Sequence, residues 1–313
     1  MDRREWLAGM SLAALARPAL AAEWPERLIT IVLPFTAGGP SDGFARMLAR
    51  QLHAVLGGPG VVVLNRPGAA GNIGMAEVAN AQPDGTVIGI ATNSVAAHVA
   101  MTARPIVTLD SLTWIANLVY EPSALVVRPG RFANLAAFLA AARQGPISVG
   151  HAGIGTSHQI ALTMLERRAG IELVQVAFPG SSQAKTQLIG GHIDAANFPL
   201  SEVLTMMREG QGTALAVTTA VRSPFAPDLP TFTEQGVPLV SGTRRAMVAP
   251  PGLPQPLQQR LATALEGVMR APEVVQLLNG MQIQVDWMPG PAMLDLLRQE
   301  LAALRALGLS ANR

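Results

Sequence analysis

From residue 28 onward, short runs of branched and apolar residues alternate with stretches whose apolar side chains recur at helical spacing. This alternation narrows the fold more than any other feature, because strands separated by helices are driven into a largely parallel sheet with helices packed on its faces. The runs fall at residues 28–34, 61–65, 87–92, 147–150, 173–178, 195–198, 214–218, 246–249 and 283–287. Between them, Phe44, Met47, Leu48, Leu52, Val55 and Leu56 share one helical face, as do Ile160, Leu162, Met164 and Leu165 more loosely. Leu257, Leu261, Leu265, Val268 and Met269 form a third stripe, and Met293, Leu296, Leu297, Leu301 and Leu304 a fourth. A chain of 313 residues, 49% hydrophobic, exceeds one core of ordinary size, so two α/β lobes are expected. The Glu121-Pro122 step and residues 241–245 are the candidate crossings. They assign residues 22–122 plus 245–313 to the first lobe and 123–244 to the second. The proline-rich patch from Pro250 to Pro256 reads as a rigid turn entering a helix.

Residues 1–21 read as an export signal rather than as structure. Arg3 and Arg4 begin a charged start, a weakly apolar stretch runs from Trp6 to Leu15, and Ala19-Leu20-Ala21 offers a small-residue cleavage site. The paired arginines followed by Glu5-Trp6-Leu7 are similar to a twin-arginine signal with Trp6 in the usual phenylalanine position; general secretion is the alternative. With no cysteine there is neither a disulfide framework nor a thiol to take a lipid anchor. No later apolar run reaches a bilayer's span, so the mature protein is expected in the periplasm, soluble and unanchored. Net charge is +2, Lys185 is the sole lysine, and the arginines are spread without basic runs or interleaved aromatics, which argues against nucleic acid as a partner.

Chemistry concentrates in glycine-rich turns. Pro34-Phe35-Thr36-Ala37-Gly38-Gly39-Pro40-Ser41-Asp42-Gly43 joins the first strand to an amphipathic helix, with Ser41 or Asp42 as the expected helix cap. Free amides at such a helix start carry partial positive charge and suit a carboxylate. Gly150-His151-Ala152-Gly153-Ile154-Gly155-Thr156-Ser157-His158 repeats the arrangement, and Phe178-Pro179-Gly180-Ser181-Ser182 gives a third case. Ligands of open α/β sheets bind beyond the carboxyl ends of strands, where these turns would converge from both lobes on an anion.

Other chemistries find less support. Gly68, Gly71 and Gly74 lack the opening Gly-x-Gly and the acidic partner of a dinucleotide site. His53, His98, His151, His158 and His192 show no metal-ligand spacing, so neither metal nor cofactor is expected. Ser157-His158 lacks the Gly-x-Ser-x-Gly elbow of a hydrolase, and no titratable pair converges, so a binding protein is expected rather than an enzyme. Met206, Met207 and the other methionines read as core fillers.

Several motifs in order match a known family: Trp24-Pro25, the stretch from Val32 to Asp42, Asn65-Arg66-Pro67-Gly68-Ala69-Ala70-Gly71, Pro83-Asp84-Gly85, Gly153 to His158, Leu188-Ile189-Gly190-Gly191-His192-Ile193-Asp194, and Ala249-Pro250. By these the chain resembles the substrate-binding receptors of tripartite tricarboxylate transporters, the Bug family. The resemblance implies a two-lobed α/β periplasmic binding protein, type II-like, a Venus flytrap with two hinge crossings. It implies a small carboxylate ligand (a di- or tricarboxylate, an acidic amino acid or an aromatic acid) and a monomer serving membrane transporter subunits or, alternatively, a sensor protein. The implied ligand residues are Phe35, Thr36, Ala37, Gly38, Gly39, Ser41, Asp42 and Asn93 on one side. On the other they are Gly153, Gly155, Thr156, Ser157, His158, Phe178, Gly180, Ser181 and Asn197. Two departures bear on specificity. The family's usual Tyr-Lys-Gly is Phe178-Pro179-Gly180 here, and a usual tryptophan is replaced by Arg244, beside Arg245. A guanidinium offers a fork to carboxylates, so Arg244 or Arg245, with Arg245 preferred, is expected to face the cleft and pair with a second acidic group; a solvated hinge arginine is the competing reading.

Overall fold

The structure is a computed structural model that describes residues 24–308. The expected export signal lies outside the described residues. The strands are β1 (Ile29–Leu33), β2 (Val61–Asn65), β3 (Val87–Thr92), β4 (Thr113–Val127), β5 (Ser148–His151), β6 (Val174–Ala177), β7 (Ala195–Pro199), β8 (Thr213–Val217), β9 (Gly242–Ala249) and β10 (Gln284–Pro289). The helices are α1 (Pro40–Leu56), α2 (Asn72–Ala79), α3 (Ser94–Met101), α4 (Leu135–Gln144), α5 (Ser157–Ala169), α6 (Ser181–Ile189), α7 (Leu200–Arg208), α8 (Gln255–Arg270), α9 (Pro272–Gly280) and α10 (Gly290–Ala306). None of the described helices is long and apolar enough to cross a membrane.

Strand order is β2-β1-β3-β9-β4-β7-β5-β6, with β8 and β10 also pairing to β4. Pairing around β1 and around β5 is parallel, as the alternation of strand and helix requires, while β4 and β9 run antiparallel to their neighbours. β4 belongs to both lobes. Its residues up to Pro122 pair with β9, where Pro122 faces Gly242, and from Ser123 onward it pairs with β7 and β8. β4 is also the strand that the sequence reading lacks. It is buried on both faces along nearly its whole length, which erases the alternation that marks a strand, and Pro122 interrupts it.

Each lobe has a core on both faces of its sheet. Ile29, Ile31 and Leu33 enter one cluster with α1 and α8, while Val32 between them enters another with α2 and α10. On the second lobe's part of β4, Leu125 and Val127 pack with α4 and α5, and Ala124 and Val126 with α6 and α7. These are period-2 strands feeding two apolar layers. α1 buries Phe44, Met47, Leu48 and Leu52 as the stripe predicts, but Val55 stands 57% exposed.

The crossings are tied strands rather than loose linkers. The Thr218 hydroxyl accepts from the Ser123 N–H at 2.9 Å and donates to the Ser241 carbonyl at 2.6 Å. Tyr120 Oη donates to the same carbonyl at 2.9 Å. Gly242 lies so close to the Tyr120 ring that a Cβ there would come within 2.5 Å of ring carbons, which leaves room for glycine alone.

Candidate ligand-binding site

Helix starts α1, α3, α5, α6 and α7 meet at the junction of the lobes, around a cavity of about 90 Å³. Each follows the carboxyl end of a strand, so the amides that helical bonding leaves free point inward together. Local sequence sets each start. Pro40 occupies the first turn of α1, a position that needs no amide donor, and Gly39 is the cap residue. Ser41 and Asp42 therefore fall inside the helix, and neither caps it, contrary to the sequence expectation. Asp42 instead accepts from the Gly38 N–H at 3.1 Å, Arg46 Nε at 3.0 Å and Asn65 Nδ2 at 3.0 Å, fastening the turn to α1 and β2. Partial burial raises its pKa, but these bonds outweigh it and hold the carboxyl below its ordinary value. Thr156 caps α5, and its hydroxyl also donates to the Gly153 carbonyl at 2.7 Å, which folds the glycine turn back on itself.

Arg245 is the one guanidinium lining this cavity, and it is 2% exposed. Its Nε donates to Ser41 Oγ at 3.0 Å and its Nη2 to Glu121 Oε2 at 2.7 Å. Nη1 is buried with no partner among the described residues. Glu121 accepts in turn from the Ser201 hydroxyl of α7, so a chain of bonds runs from α1 through β9 and β4 into the second lobe. Arg244, its neighbour in β9, points the other way because successive strand residues face opposite sides. It pairs with Asp286 at 3.1 Å and Glu300 at 3.7 Å, lies over the Tyr120 ring, and lines a separate cavity of about 480 Å³ behind the crossings.

His158 also lines the cavity, with Nδ1 buried and without a partner among the described residues. Burial, aided by the Arg245 cation and His151, pushes its pKa down to about 3, so the ring is neutral at physiological pH. Glu202, in the first turn of α7, is half-buried at the edge of the cavity and accepts from Ser181 Oγ at 2.6 Å. Burial raises its pKa, as does Glu121, against the Ser181 bond and the cations Lys185 and Arg245. The two lobes touch across the cavity. Ser157 and Thr243 share a short hydroxyl contact between the lobes, and a Cβ on Gly180 would stand 3.7 Å from Thr36 Oγ1.

Of the residues singled out from sequence, Phe35, Thr36, Gly39, Ser41, Thr156, Ser157, His158, Gly180, Ser181 and Arg245 line the cavity. Asn93 and Gly155 line the rear cavity, and Gly153 and Phe178 a shallow pocket at the rim. Gly38 opens onto an outer groove. Asn197 supports the site from behind, its Nδ2 donating to the His158 carbonyl at 2.9 Å; Ala37 and Asp42 line none of these spaces. Sequence reasoning missed Thr92, Ser94, Thr243 and Glu202. Ser94 and Glu202 follow β3 and β7 at strand-to-helix turns of the same kind as the others, but without the glycines that drew notice. A larger open groove of about 770 Å³, between Gly145 and Glu172, touches neither crossing nor any of these turns.

Residues 44–307 match the family described as tripartite tricarboxylate transporter family receptor. The chain is 34% identical over 311 residues, 96% of this chain and 92% of the relative, to the UPF0065 protein in the tcbD-tcbE intergenic region of Pseudomonas sp. (strain P51). Among solved structures it is similar to an R. palustris protein with adipate, at 26% identity and TM-score 0.86, covering 92% of this chain and 98% of that one. It is also similar to MatC from Rhodopseudomonas palustris with bound malate, at 26% identity and TM-score 0.83, covering 91% and 99%.

Proposed function

Because the chain belongs to the tripartite tricarboxylate transporter receptor family, we propose that it is an exported solute receptor that closes on a small organic carboxylate and hands it to a membrane transporter. One observation carries the reading: Arg245, which lines a cavity ringed by helix N-termini, holds a buried cationic donor, Nη1, without a partner among the described residues. A buried guanidinium that leaves a donor unused is costly unless something polar supplies the missing bond, and a carboxylate matches both its charge and its fork. Ser41 and Glu121 hold the guanidinium in place before the ligand arrives. The neutral His158 adds a polar edge without a competing charge.

In this reading residues 22–122 with 242–313 form one jaw and 123–241 the other, joined at β4 and β9; the return crossing falls three residues before the one expected from sequence, because all of β9 pairs with the first part of β4. Contacts across the jaws, such as Ser157 with Thr243, favour the closed state once a ligand fills the space between them. The cavity, about 90 Å³, suits a small ligand rather than a bulky one. The protein acts as a monomer in the periplasm, and residues 1–21 deliver it there. The carboxylates named for the two R. palustris proteins, malate and adipate, support the ligand class.

Thermal unfolding against a panel of small carboxylates tests the reading. A ligand at a hundredfold excess over its Kd raises Tm by about 5 °C for a chain of this size. If no small carboxylate raises Tm, the reading is wrong.

A further inference from the structure

Taking the carboxylate reading as its basis, we propose that Glu202 reads the far end of the ligand, so that the preferred solute is a zwitterion with one carboxylate for Arg245 and an ammonium group for Glu202, and no second free carboxylate. Three observations lead there. The ionisable side chains lining the cavity are Arg245, Glu202 and the neutral His158. Arg245 lies on β9 of the first lobe and Glu202 on α7 of the second, so the one cation and the one anion lining the cavity among the described residues come from opposite jaws. Ser181 donates to Oε1 of Glu202, which fixes the carboxylate in place, and Ser181 is its hydrogen-bond partner among the described residues, leaving lone pairs for a donor in the cavity.

A second ligand carboxylate would meet these lone pairs with like charge. Burial has already raised the cost of charge on Glu202, and Glu121 lies near enough to add to it. An ammonium reverses both effects and gains charge-assisted hydrogen bonds. Closure would then bring unlike charges together at each end of the ligand, so both jaws contribute to holding it. The cations available as competitors for a second carboxylate are Lys185 and Arg208, which line the outer groove that shares Glu202 with the cavity. Lys185 is paired with Glu209 at 3.3 Å and Arg208 donates to Thr205 at 2.9 Å.

Calorimetric titration of the full mature protein with four-carbon acids separates the two levels of the reading. Butyrate supplies the carboxylate alone, α-aminobutyrate and γ-aminobutyrate add an ammonium at either position, and succinate adds a second carboxylate. One of the amino acids is expected to bind about tenfold to hundredfold more tightly than butyrate, and more tightly than succinate. In Glu202→Gln that advantage, read as the ratio of the two Kd values within the same variant, falls at least about tenfold, and Ser181→Ala weakens it in part by freeing the carboxylate. Succinate outranking both amino acids in the native protein overturns the proposal and leaves the carboxylate reading standing. An amino-acid advantage that survives Glu202→Gln overturns it as well. Failure of all four acids to bind, while other carboxylates raise Tm, removes the ammonium preference alone; failure of every carboxylate removes the reading beneath it.

Discussion

In the proposed reading Arg245 serves structure and recognition with different atoms of one side chain. Nε and Nη2 are committed to Ser41 and Glu121, and Nη1, which has no partner among the described residues, is the donor offered to the ligand. Arg245→Ala strands Glu121, which is 1% exposed, without its cation, and is expected to cost about 3–5 kcal/mol in urea unfolding. Arg245→Lys keeps the charge but loses the fork, since an ammonium cannot reach Ser41, Glu121 and a ligand at once. It is expected to weaken carboxylate binding about tenfold or more by calorimetry. His158 makes a separate prediction through pH. The folded protein keeps it neutral down to about 3, whereas the unfolded chain takes up a proton near 6.5. The unfolded state therefore binds more protons between these values, and stability that is full above pH 6.5 is lost as pH falls toward 3. At about pH 5 the loss from this residue is about 2 kcal/mol. His98 and His151, both lowered by burial, act in the same direction, while Glu202 and Glu300, raised by burial, oppose it. Urea midpoints measured from pH 7 to pH 5 are expected to fall less steeply in His158→Gln than in the native protein.

At the level of elements, close approach decides which positions tolerate change. The start of α10 sits against β4 so tightly that a Cβ on Gly290 would lie 1.8 Å from the Trp114 carbonyl oxygen. Gly290→Ala must push helix and strand apart, and is expected to cost at least about 3 kcal/mol in urea unfolding. Gly267, inside α8, meets nothing within 4 Å, and Gly267→Ala is expected to add about 0.5–1 kcal/mol by the same measurement. Much of this architecture is legible in the sequence, because every strand except β4 falls on a short apolar run and α1, α5, α8 and α10 on apolar stripes. The same properties hid β4, whose two buried faces leave no period to read and whose Pro122 looks like a break. The site was legible where glycine marks a turn, as at Gly39 and Gly180. It was not legible where pairing across the sheet decides direction: that Arg245 faces the cavity and Arg244 faces Asp286 follows from the register of β9 against β4, which the sequence does not display.

For the whole molecule, the proposed closure would rest on polar contacts between the jaws, and a sequence without cysteine makes this directly testable. Ser157 and Thr243 already bring their side-chain oxygens into contact, a spacing that suits a disulfide once both are replaced. With Ser157→Cys and Thr243→Cys together, oxidation is expected to fix the closed state and stop ligand entry, and reduction to restore binding, both followed by calorimetry. Binding that is unchanged after oxidation would show that ligand enters without the jaws parting. The pairing of Pro122 with Gly242 has a further consequence, for the order in which the chain folds. The chain leaves the first lobe and returns to it at facing backbone positions about 5 Å apart, one strand spacing. On the proposed division the second lobe is a continuous insertion that can complete itself from its own residues. Its host must wait for β9 and β10, made more than a hundred residues after β3, before its sheet is whole. Joining ends so far apart is the slow kind of step in a folding reaction. A refolding chain should therefore protect the amides of β5 and β7 from exchange before those of β1 and β3.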